Sequence, residues 1–137
     1  MGNVYTKLTL KNSGDLTNVD RGIITKNKVR STTVTALVDT GATTLVINEK
    51  IRKKLGLSVL KTHTISLAGG QEAFCKMTEP VRIIWKDRDT DCRAWVLPGD
   101  DEPLLGVIPL EDMDLMVDPR RRELKGAHGD VMKGQVK

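Results

Sequence analysis

Residues 36–48 read Ala-Leu-Val-Asp-Thr-Gly-Ala-Thr-Thr-Leu-Val-Ile-Asn: one carboxylate, Asp39, in a tight Thr-Gly turn between two apolar runs. Apolar, β-branched runs on either side of so short a turn are expected to form two strands with the acid at their junction. At a strand end, backbone hydrogen bonds can hold a carboxylate rigidly. Asp-Thr-Gly occurs once in the 137 residues. Chemistry that needs two such carboxylates must take the second from another chain.

A chain of this length has room for one domain and a single core. Aromatic residues make up only 3% of it, so that core must be built from Val, Leu and Ile, which favours β structure. No apolar run approaches the ~20 residues needed to span a bilayer, and no signal-peptide apolar region follows the start, so the expected setting is cytoplasmic, without a membrane partner. Met1-Gly2-Asn3-Val4-Tyr5-Thr6 does fit the myristoylation template, a pattern short enough to arise by chance. Cys75 and Cys92 form no CxxC pair, and His63 and His128 lie at no metal-ligand spacing from them. The expectation is no metal, no cofactor and two reduced thiols. The net charge of +4 invites a nucleic-acid reading, but Arg52-Lys53-Lys54 and Arg120-Arg121-Arg122 are short runs with Glu49 and Glu123 beside them. One Tyr and one Phe cannot build a base-stacking platform, so solvated faces explain these charges and no nucleic-acid partner is expected.

Along the chain, Val4, Thr6, Leu8 and Leu10 alternate as an edge strand, and Asn12-Ser13-Gly14-Asp15 reads as a turn. A second extended stretch is expected near Gly22–Thr25, then a strand from Val29 to Val38 and a short one from Thr44 to Ile47. Asn48 is a helix N-cap, Ile51 and Leu55 share a face, and Gly56 stops the helix. Thr64–Leu67 and Gln71–Lys76 flank Ala68-Gly69-Gly70, a glycine-tipped hairpin. Val81, Ile83 and Trp85 alternate, Asp87-Arg88-Asp89 turns the chain, and Cys92, Ala94 and Val96 return. Pro98-Gly99-Asp100-Asp101 breaks the sheet. Leu104-Leu105-Gly106 opens a last segment with one or two helical turns over Leu110–Leu115, and a hairpin closes it around Asp118-Pro119. The glycine- and lysine-rich residues 125–137 lack periodicity and are expected to be a disordered tail after a domain of residues 1–124.

The order strand, Asp-Thr-Gly, strand, helix, glycine-tipped hairpin, Leu-Leu-Gly resembles the retropepsins, the retroviral-type aspartic proteases. The segment from Leu104 to Asp114 looks like the bacterial members. The resemblance implies a mainly β fold, a closed-barrel protomer with one or two short helices, acting as a symmetric homodimer on peptide or protein substrates. It also implies that Asp39 from each of two subunits forms the catalytic dyad. Two carboxyls that close share one proton; the ionised one takes a proton from water, and the other donates to the scissile carbonyl. Thr40 and Gly41 would support the dyad, Gly41 by its sharp turn and Thr40 by reaching across the two-fold axis. Ala42, Ala68, Gly69, Gly70 and Leu104 would contact substrate, residues 68–70 as a flap, and Gly106 would pack behind the catalytic loop. Ala42 stands where pepsin-like enzymes carry a hydrogen-bonding serine, which implies activity at mildly acidic to near-neutral pH. Thr43, Thr44 and Val107 occupy places where viral enzymes form an ion-pair set, so dimerisation would rest on apolar contact and β pairing.

Two rivals share these residues. Asp39-Thr40-Gly41-Ala42-Thr43 also fits the phosphate loop of actin- and hexokinase-like ATPases, whose two lobes 137 residues cannot supply. A catalytically silent dimer of the same fold that binds peptides or proteins is the other.

Overall fold

The computed structural model describes residues 2–133. In chain order its elements are β1 (Tyr5–Asn12), α1 (Ser13–Asp20), a 3-10 turn (Lys26–Lys28), β2 (Ser31–Val38), β3 (Leu45–Asn48), α2 (Glu49–Leu55), β4 (Val59–Ser66), β5 (Glu72–Trp85), β6 (Arg88–Leu97), β7 (Leu104–Leu105), α3 (Val107–Asp112), β8 (Leu115–Asp118) and β9 (Glu123–Gly126). The sheet runs β1-β2-β7-β3-β6-β5-β4, and β1 pairs again with β5, closing a six-strand barrel with β4 outside it. The fold is mainly β with few helices. Three short α-helices are described, one more than the expected maximum.

Alternation explains the barrel. Leu8 and Leu10 of β1, Ala36 of β2, Leu45 and Ile47 of β3, Val81 and Ile83 of β5, Ala94 and Val96 of β6 and Leu105 of β7 all point inward and are buried. Leu55 and Leu57 from the end of α2, with Met113 beyond α3, join the same buried core. A side-chain period of two cannot distinguish an edge strand from an interior one. This is why β1 differs from its reading as an edge: Thr9–Asn12 pair with Val81–Ile84 while Tyr5–Lys11 pair with β2.

The helix read at Asn48 is present as expected. Asn48 Oδ1 accepts the Ile51 amide at 2.9 Å, and Gly56 ends the helix at φ +62°. Helix α1 replaces the expected turn after Asn12. Its sequence, Ser-Gly-Asp-Leu-Thr-Asn-Val-Asp, has no apolar stripe, and it is held by polar contacts instead. Asn12 Oδ1 caps the Asp15 amide while its Nδ2 donates to Leu55 O at 2.9 Å. Arg30 donates to both Asp15 oxygens, each at 2.9 Å. The extended stretch expected near Gly22–Thr25 is a turn and bend leading into the 3-10 element.

The glycine hairpin is longer than its sequence suggests, because β5 runs unbroken through Pro80 at a register irregularity between Met77 and Pro80. The β5–β6 turn falls at Lys86-Asp87, so Arg88, assigned to the turn by sequence, is a buried strand residue. Its guanidinium donates to the carbonyls of Met113, Asp114 and Gly129. The closing hairpin lies where expected, but β9 extends past residue 124 to Gly126. Residues beyond it are tied to the domain: Ala127 N donates to Asp114 O at 2.8 Å, His128 Nδ1 lies 2.7 Å from Asp114 Oδ2, and Lys133 N donates to that oxygen at 3.0 Å. The remainder of the expected tail, 134–137, lies outside the described residues.

Candidate active site

Strand β2 delivers the chain to Val38, and one residue further the Asp39 amide donates to Leu105 O at 3.0 Å, extending the parallel β2–β7 ladder into the loop. The loop turns at once. Ala42 N donates to Asp39 O at 3.0 Å, and Gly41 N donates to Asp39 Oδ1 at 2.8 Å. Asp39 is half-buried, and Oδ1 is its one hydrogen-bonded carboxylate oxygen among the described residues. A Cβ on Gly41 would stand 3.1 Å from that oxygen, so glycine leaves the carboxylate its place.

The loop is supported from behind. Val107 N donates to Ala42 O and Ile108 N to Thr43 O, both at 2.9 Å. These amides enter α3 without intrahelical partners, so the loop carbonyls satisfy them. Gly106 makes this approach possible, since a Cβ there would stand 2.6 Å from Ala42 O and 2.7 Å from Thr44 N. Thr44, buried, closes the loop by donating to Arg93 O at 3.0 Å. Burial pushes the nearby Cys92 thiol up, partly offset by its contact with Thr44, and burial does the same to Cys75. Both cysteines are free.

Asp39, Thr40, Gly41 and Ala42 thus form one loop packed on Gly106, with Leu104 on the adjacent strand. Thr40 is exposed. Ala68, Gly69 and Gly70 are placed elsewhere, at the end of the β4–β5 arm, where Gly70 N donates to Leu67 O at 3.1 Å and both glycines have positive φ. Beyond the adjacent residues of the chain, no atom lies within 4 Å of where a Cβ would stand on either glycine. Among the described residues no cluster of His, Cys, Asp and Glu could hold a metal, and no helix is long and apolar enough to cross a membrane.

Beside Leu104 opens a cleft of about 510 Å³, lined by Val46, Ile47, Asn48, Leu97, Pro98, Asp100, Asp101, Glu102 and Leu104. A second hollow of about 460 Å³ shares Leu97 and Pro98 and reaches Phe74 on the β4–β5 arm. Sequence reasoning treated Pro98–Asp101 only as a break in the sheet. The run of three acids, Asp100-Asp101-Glu102, between Pro98 and Pro103 was the available signal.

The family model for "gag-polyprotein putative aspartyl protease" matches residues 25–112, which include the Asp39 loop, the glycine hairpin and Leu104-Leu105-Gly106. The chain belongs to this family. It is a retropepsin-like protein, as the motifs implied. Its fold is similar to that of EIAV protease complexed with the inhibitor HBY-793, at 22% identity and TM-score 0.55, over 81% of this chain and 88% of that one. The retroviral protease-like domain of Ddi1 from Leishmania major is similar at 13% identity and TM-score 0.57, over 96% and 92%. A retropepsin-like aspartic protease from Rickettsia conorii is similar at 18% identity and TM-score 0.50, over 85% and 77%. No curated protein matches the chain.

Proposed function

We propose that this retropepsin-like chain is one protomer of an aspartic endopeptidase, and that Asp39 and its twin from a second copy share one proton across a two-fold axis. The ionised carboxylate takes a proton from water, which attacks the scissile carbon. The protonated one donates to the carbonyl oxygen, and the leaving amine takes up a proton as the C–N bond breaks. Thr40 and Gly41 position the two loops, Ala42 and Leu104 contact an extended peptide, and the Ala68-Gly69-Gly70 tip closes over it. The observation that best supports this reading is the Asp39 loop itself, held by Gly41, Gly106 and the first amides of α3 while Asp39 Oδ2 stays without a bond among the described residues. With Ala42 offering only a methyl, the working range is mildly acidic to near-neutral pH.

A silent peptide-binding dimer is the second reading, favoured by the outer edge of β4, which is the terminal strand of the sheet and open to strand addition. Wild type and Asp39→Asn, assayed on a random peptide library, separate the two. Cleavage by wild type alone supports the dyad, and cleavage surviving in Asp39→Asn overturns it. Size-exclusion across concentrations checks the second requirement, because a strictly monomeric protein that cuts peptides is incompatible with a shared dyad.

A further inference from the structure

The cleft beside Leu104 has two chemically different walls. Val46, Leu97 and Leu104 make it apolar, whereas Asp100, Asp101 and Glu102 line it with three carboxylates and no Lys or Arg lines it at all. The acidic wall is anchored. Asn48 Nδ2 donates to Asp101 O at 3.0 Å, Leu37 N to Pro103 O at 2.9 Å and Tyr5 Oη to Glu102 Oε1 at 3.3 Å. Asp100, Asp101 and Glu102 are exposed, and none of the three forms an ion pair among the described residues, so the cleft is lined by acidic residues with no cation among its lining in a chain of net charge +4. The residues are not grouped closely enough to hold a metal ion. Leu104 pairs with Leu37, two residues before Asp39, so the cleft begins one strand away from the acid.

We propose that this cleft selects peptides bearing Lys or Arg next to the residue cleaved, with the aliphatic stem on Leu104 and Leu97 and the cationic head at Asp100, Asp101 and Glu102. The proposal rests on the reading of the Asp39 strand as one wall of a peptide groove. Its experiment keeps the two separable. Fluorogenic peptides identical except for Lys, Gln or Glu at one position, scanned across the cleavage site, are given to the full chain at low ionic strength. At one position kcat/KM for Lys exceeds that for Glu about tenfold, and added NaCl shrinks this ratio. In the Asp100→Asn, Asp101→Asn, Glu102→Gln variant the ratio falls to about one. A ratio near one in wild type, no response to salt, or an unaltered ratio in a folded triple variant overturns the proposal. The same labelled peptides are titrated onto Asp39→Asn by fluorescence anisotropy. If wild type cuts nothing but the Lys peptide still binds more tightly than the Glu peptide, hydrolysis fails and the selectivity stands. Equal binding removes the selectivity.

Discussion

Gly106 and Ala42 meet backbone to backbone: a Cβ on Gly106 would stand 2.6 Å from the Ala42 carbonyl oxygen, which is itself bonded to the Val107 amide. A methyl there must push the Asp39 loop away from α3. Gly106→Ala is expected to destabilise the fold by about 1–3 kcal/mol and to lower peptidase activity with it. Urea unfolding checks the first figure, and an unchanged midpoint would show that the loop yields freely.

At the hairpin tip the cost of substitution is conformational. Gly69 and Gly70 sit at φ +89° and +82° with nothing near them, so Ala meets no obstacle but disfavours the turn. The expected cost is about 1 kcal/mol per position, confined to the hairpin. The double Ala variant should therefore lose kcat/KM while its thermal midpoint moves only slightly. Full retention of kcat/KM would argue against a substrate-closing role.

Asp15 and Arg30 anchor α1. The hydrogen bonds from Arg30 hold the Asp15 carboxyl below its ordinary range. The unfolded chain therefore binds the proton more readily. The stabilisation is complete above the unfolded value, near pH 4, and is lost as pH falls through the lower folded value. Asp15→Asn should lower the unfolding free energy by about 1–2 kcal/mol at neutral pH, with the gap narrowing towards pH 3. A gap that does not change with pH would separate the helix from this ion pair.

Arg88 serves three carbonyls from a site 5% exposed. Arg88→Met removes this donor from all three, leaving the Asp114 carbonyl only the Ala127 amide, and the expected cost is about 2–4 kcal/mol. Residues 127–133 should also become open to limited proteolysis, since Gly129 O loses its anchor. Resistance equal to that of wild type would show that Asp114 alone retains the segment.

Some of this was legible in the residues because local chemistry decided it. Helix α2 was readable from Asn48, Ile51, Leu55 and Gly56, each in a role its own side chain dictates. Helix α1 was not, because Asn12, Asp15 and Arg30 hold it through contacts between distant segments that no apolar period announces. Arg88 was misplaced for a related reason: a charged residue is normally read as exposed, and only the carbonyls of the α3–β8 turn and Gly129 make its burial tolerable.

By itself the chain's order of residues determined the alternating strands, the glycine turns and the position of a single acid after an apolar run, because these follow from side-chain period and backbone freedom. Only the tertiary structure decided that β1 closes the barrel onto β5, that Gly106 lies beneath the Asp39 loop, and that Asp100, Asp101 and Glu102 line the cleft with Leu104. Those relationships join residues far apart along the chain, and their energies depend on contact and desolvation that exist only once the strands have packed.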